Sequence, residues 1–195
     1  MTDFLTDVTT LRERARAAMD QGAITEFYGA DQKRVVEVLN EALATEIVCV
    51  LRYKRHYFMA QGIHAGPVAA EFLQHANEEL GHVDQIAHRI TQLQGEPNFS
   101  PEGITDRSHA EYAEGTDLID MIKEDLIAER IAIESYGEII RWLGDKDPTT
   151  RRMLEDILAV EEEHADDLLD FLADLDRQHP VGGGTTAVAD GARSS

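Results

Sequence analysis

Glu79-x-x-His82 and Glu161-x-x-His164 each set a carboxylate and an imidazole one helical turn apart, once in each half of a 195-residue sequence. Glu46 and Glu129 stand at matching points upstream of these motifs. Carboxylate oxygen is a hard ligand and imidazole nitrogen a borderline one, a mixture that suits iron and also accepts manganese or zinc. One Glu from each of two helices plus Glu-x-x-His from each of two others is the donor set of a dimetal-carboxylate centre in a helical bundle. Four carboxylates buried together would lose hydration and repel one another. Two divalent cations would neutralise them. A single Glu-x-x-His occurs by chance in acidic sequences; two, with two more glutamates on core faces, form a specific pattern.

The faces follow from the spacing. Leu39, Leu43, Glu46, Val50, Tyr53 and Tyr57 advance by four and three, as do Ile122, Leu126, Glu129, Ile133, Tyr136 and Ile140. Phe72, His75, Glu79, His82 and Ile86 share a third stripe, and Leu154, Ile157, Glu161, His164 and Leu168 a fourth. Such stripes face a core. The alternative, a solvated acidic face, conflicts with these apolar neighbours. The halves are also near-copies: Leu39–Tyr53 aligns with Ile122–Tyr136, and Asn77–Ile86 with Ala159–Leu168. The alignment fixes the register on Glu79 and Glu161. It leaves the adjacent Glu78, Glu162 and Glu163 as solvated residues or as outer support for a ligand.

Four long helices must carry these stripes. The first is predicted over about Asp31 to Ala60, with Gly62 beyond its end. The second begins at Gly66-Pro67 and stops at Gly95-Glu96-Pro97. Thr116-Asp117 caps a third that ends at Gly144, and Asp147-Pro148 opens the fourth, which ends before His179-Pro180. A connection from Gly95 to Gly115, with a short helical turn near His109, joins the second to the third. Short loops make antiparallel neighbours, and the long one crosses the bundle. A short polar helix is predicted over Leu11 to Met19. Residues 1–30 thus read as an N-terminal extension, 31–178 as the bundle, and 179–195 as a flexible tail without apolar periodicity.

A net charge of −20 with 29% charged residues argues against general nucleic-acid binding and suits attraction of cations or plain solubility. The one cysteine, Cys49, lies in an apolar run and reads as core. The N-terminal stretch has no apolar signal core, and no run approaches the roughly 20 residues of a membrane span, so a cytoplasmic location is expected.

On the segments LNEALATE, EELGH, EDLIAER and EEEH, with QLQGEPNF after the second helix, the chain resembles the ferritin-like superfamily, most closely bacterioferritins and Dps-like ferritins. The resemblance covers about Val35 to Leu175. It implies an all-α, ferritin-like antiparallel four-helix bundle holding two Fe ions per subunit. Glu79 and Glu161 would bridge the irons, with Glu46 and His82 completing one and Glu129 and His164 the other. Tyr53 matches an aromatic position near the metals, implying an electron or hydrogen-bond donor; helical spacing alone equally makes it a core tyrosine. These seven are the candidate catalytic residues.

Two positions depart from the bacterioferritin pattern. Leu80 stands where a haem-ligating Met follows the bridging Glu, so haem is not expected. Pro180 to Gly184 cannot hold the fifth helix of 24-subunit shells, so a dodecameric, Dps-like homo-oligomer is expected instead. Arg12, Arg14 and Arg16 lie among acids rather than in a Lys-rich tail, so DNA is not an expected partner.

The resemblance implies a ferroxidase that oxidises Fe(II) with O2 or H2O2 and stores Fe(III) inside a shell. The alternatives are a di-iron or di-manganese peroxidase, catalase or oxygenase without storage, and a metal-free helical adaptor. A rubrerythrin-like peroxidase would need a Cys-x-x-Cys module that one cysteine cannot supply. Among other histidines, His75 reads as a satisfied core residue in preference to outer support for a ligand. His56, His64, His88, His109 and His179 read as surface or loop residues.

Overall fold

In a computed structural model, residues 6–63 and 65–178 are described. The tail 179–195, including the segment expected to exclude a fifth helix, lies outside them, as do His64 and His179. Among the described residues there are six helices and no strand: α1 (Val8–Ala17), α2 (Gln32–Met59), α3 (Ala65–Gln92), α4 (Ile104–Arg107), α5 (Leu118–Leu143) and α6 (Pro148–Gln178).

The start and stop signals act locally as expected. Asp31 accepts from Arg34 N, Asp117 from Asp120 N and Asp147 from Thr150 N, each satisfying a first-turn amide. α3 closes through Gly95 N donating to Ile90 O. A Cβ at Gly95 would lie 2.6 Å from Val36 Cγ1, so only glycine lets the chain turn this close to α2. Two details differ from the sequence reading. α1 starts three residues earlier than predicted because Asp7 caps it, accepting from Thr9 N and Thr10 N. The helical turn of the long connection is α4, upstream of the predicted position near His109.

α2 packs along α3, α5 along α6, and the two pairs meet through α2 with α5 and α3 with α6. Two apolar clusters fill the interior. One contains Leu39, Leu43, Ile86, Tyr136, Leu154 and Ile157; the other contains Tyr53, Phe72, Ile122, Leu126 and Leu168. α2 and α6 enter the first cluster before the second, and α3 and α5 the reverse, so the helices run up, down, down, up. On every helix the Glu of the pattern falls between the clusters.

Polar side chains of α2 hold the crossover. Asn40 accepts from Asn98 N at 2.7 Å, and Thr45 Oγ1 from His109 N at 2.9 Å. Arg52 donates to Glu111 O at 3.0 Å and to Asp125 Oδ1 at 2.7 Å. His56 Nδ1 lies 2.8 Å from Asp125 Oδ2 and Nε2 3.1 Å from Glu114 O. This corrects the reading of His56 as a surface residue: it is fully buried, because the crossover covers its face of α2. His88 and His109 are exposed.

Candidate metal centre

Glu46, Glu79, His82, Glu129, Glu161 and His164 are all buried, at 4% exposure or less, at the level between the apolar clusters. They form two overlapping groups. Ligand atoms of Glu46, Glu79, His82 and Glu161 lie within 4.8 Å of one another, and so do those of Glu79, Glu129, Glu161 and His164. Glu79 and Glu161 belong to both. His82 Nδ1 is 3.0 Å from Glu161 and 3.3 Å from each of Glu46 and Glu79. His164 Nδ1 is 3.5 Å from Glu161, 3.8 Å from Glu79 and 3.9 Å from Glu129.

Six atoms at this spot are buried with no hydrogen-bond partner: Glu46 Oε2, Glu79 Oε1, Glu129 Oε2, both Glu161 oxygens and His164 Nδ1. Leaving a buried polar atom unsatisfied costs about 1–3 kcal/mol. Five of the six can only accept when ionised, so the gap calls for positive charge. Two divalent cations fit it in both charge and donor type.

Titration reflects the same crowding. Burial, then the charge of Glu161, pushes the Glu79 and Glu129 carboxyls well above the usual range. Against its own burial, the His164 and His82 rings beside Glu161 hold its carboxyl at about 2. His82, likewise against burial, is raised to about 10 by Glu161 and Glu46.

The surrounding residues orient the six. Tyr53 of α2 donates to Glu129 of α5, and Tyr136 of α5 donates to Glu46 of α2. Tyr53 had been a candidate; Tyr136 had not, although the repeat aligned the two. His164 Nε2 lies 2.9 Å from Glu78 Oε2, so Glu78 supports a ring whose Nδ1 faces the centre. Glu162 and Glu163 are exposed. His75 stacks on His164 at 3.9 Å with Nδ1 3.2 Å from Tyr53 Oη, but its Nε2 lacks a partner. It is therefore not the satisfied core histidine the sequence suggested. Arg52 and Asp125 form a buried pair beside the centre that sequence reading missed. The signal was the i, i+3, i+7 stripe of Cys49, Arg52 and His56. Cys49 is buried, and burial pushes its thiol well up, as a core cysteine requires.

A cavity of about 260 Å³ opens beside His82 and His164. Glu78, Glu163, Asp167, Gln74, Gln85 and Val160 line it, and its three carboxylates suit a cation.

A family model described as a ferritin-like domain matches residues 36–178. The chain is 28% identical over 132 residues to a bacterioferritin of Desulfovibrio desulfuricans, spanning 67% of this chain and 70% of that one. It is 30% identical over 145 residues to a Synechococcus protein named nutrient stress-induced DNA-binding protein, spanning 72% and 81%. Among solved structures it is similar to a dodecameric thioferritin of Bacteroides fragilis, a bacterioferritin-related protein. That match has 34% identity and a TM-score of 0.74, covering 77% of this chain and 90% of the other.

Proposed function

This chain belongs to the ferritin-like family, and on that premise we propose that it is a ferroxidase that oxidises Fe(II) at a dinuclear site inside its own bundle and stores Fe(III) in a shell. The observation that carries this reading is the set of six unpartnered buried atoms on four glutamates and one histidine. Glu79 and Glu161 are shared between two ion positions; Glu46 with His82 completes one, and Glu129 with His164 the other. Two Fe(II) ions side by side supply two electrons together to O2 or H2O2.

The chain's own residues do the rest. Glu78 keeps the proton of His164 on Nε2, leaving the Nδ1 lone pair to the metal. Tyr53 and Tyr136 each occupy one carboxylate oxygen and fix the direction of the other. The apolar clusters above and below exclude bulk water. Glu78, Glu163 and Asp167 draw Fe(II) as substrate into the cavity beside the two histidines.

Exposed Leu51, Phe58, Ile127 and Trp142 provide apolar surface for subunit contacts. The dodecameric state of the Bacteroides fragilis relative supports a shell of twelve chains. Leu80, half exposed on α3, offers no sulfur to a haem iron, and the reading assigns the shell no haem. The net charge of −20 likewise assigns it no DNA, despite the name of the Synechococcus relative.

Aerobic Fe(II) addition followed by gel filtration tests storage. The reading predicts iron retained far beyond two ions per chain, in a particle of twelve chains by mass photometry. Retention that stops at two would favour a di-metal enzyme without storage.

A further inference from the structure

Outside the six-residue centre, a second set of potential ligands converges between α3 and α6. Glu71 and His75 stand one turn apart on α3, and Asp167 lies opposite on α6; their ligand atoms are within 4.8 Å of one another. His75 is 0% exposed, and its Nε2 has no hydrogen-bond partner. That nitrogen is 3.3 Å from Glu71 Oε1 and 3.8 Å from Asp167 Oδ2, bonded to neither. The two carboxylates are 23% and 42% exposed, so the set reaches solution on one side.

The other edge of the ring explains which nitrogen is free. His75 Nδ1 lies 3.2 Å from Tyr53 Oη, whose hydroxyl donates to Glu129. With the ring proton on Nδ1, directed at Tyr53 Oη, Nε2 is left with a lone pair and no donor to receive. A borderline nitrogen between two hard oxygens is the donor set of a divalent transition-metal ion. Glu78 is also close, but it is engaged by His164 Nε2 at 2.9 Å and falls outside the set.

We propose that Glu71, His75 and Asp167 form a third cation site, linked through His75 and Tyr53 to Glu129 of the six-residue centre. Its class of ligand is a divalent transition ion, Zn(II) or Fe(II). Three protein donors leave coordination positions for water, so the ion exchanges with solution. An ion on Nε2 locks the proton on Nδ1 and thereby holds the Tyr53 hydroxyl on Glu129. The site stands whether or not the bundle oxidises iron.

Zn(II) is the probe. Metal-free protein is dialysed to equilibrium against Zn(II), and crystals of the complex are read by anomalous scattering. The expected result is three zinc ions per chain, with one bounded by Glu71, His75 and Asp167. Glu71→Gln and Asp167→Asn, both partly exposed positions, each weaken that ion by at least the roughly 10–100-fold that a supporting group is worth. They leave the two central ions in place. Zinc confined to the six-residue centre, or a third ion on Glu78 and His164, overturns the assignment without touching the ferroxidase reading. A third ion present with the central pair absent supports the assignment and sinks that reading instead.

Discussion

The Tyr136 hydroxyl donates across the bundle to Glu46, as Tyr53 does to Glu129 in the opposite direction. Each candidate carboxylate on α2 and α5 is held by a tyrosine from the helix that bears the other. The sequence repeat is thus a reciprocal contact in space. Removing one hydroxyl leaves a buried carboxyl oxygen without its donor, at a cost of about 1–3 kcal/mol. Tyr136→Phe should lower the metal-free protein's stability by that amount in urea titrations. Tyr53→Phe should cost more, because it also strands His75 Nδ1. Equal stability of both variants with the wild type would contradict the role assigned to the pair.

Glu78 acts on the centre through His164. Glu78→Gln leaves the fold intact, since the side chain is 40% exposed, but removes the charge that fixes the ring. Metal affinity at the centre should fall about 10–100-fold. A competition titration with a zinc-binding dye measures this, and an unchanged affinity would remove Glu78 from the account.

How much of this was readable beforehand depended on which force placed each residue. The six central residues followed from spacing because helical periodicity and the repeat act locally and twice. The cap residues Asp117 and Asp147 were equally local. His56 and Arg52 were not. Beyond Glu46 the buried face of α2 includes Cys49, Arg52 and His56 because the crossover lies over it, and periodicity carries no information about where a long loop will settle. His75 sat on the predicted stripe, yet its unpartnered nitrogen depends on the position of Asp167, ninety-two residues later in the chain. Tyr136 stands opposite Tyr53 in the repeat, but its bond to Glu46 depends on how α2 and α5 meet, which spacing within one helix does not carry.

The Arg52–Asp125–His56 network is a test of the crossover. All three side chains are at most 1% exposed. Asp125→Ala leaves Arg52 buried without its counter-charge, a loss of about 3–5 kcal/mol. The predicted signature is a large drop in urea midpoint, together with faster proteolysis between residues 95 and 117. Stability within 1 kcal/mol of wild type would show that the network does not hold the crossover.

Asp147 gives the protein an acid-sensitive joint. It accepts from Tyr28, Thr150 and Arg89, tying the N-terminal segment and α3 to the start of α6. Burial would raise its carboxyl, but the Thr150 and Tyr28 bonds and the Arg89 charge hold it below the ordinary value of 3.8. A depressed folded-state value means stability that is present above the ordinary value and is lost as pH falls through the lower one. Asp147→Asn should therefore cost about 3 kcal/mol at pH 7 and progressively less as the pH falls below 3.8. Urea titrations across that range check the sign; a cost that grows on acidification would reverse it.

Stopped-flow oxidation of Fe(II), with O2 and H2O2 compared, tests the central claim most directly. Wild-type protein should show a fast phase that saturates near two irons per chain, and Glu79→Ala, which removes a carboxylate shared by both ion positions, should abolish it with either oxidant. A fast phase of unchanged rate and amplitude in Glu79→Ala would contradict a ferroxidase centre built on Glu46, Glu79, His82, Glu129, Glu161 and His164.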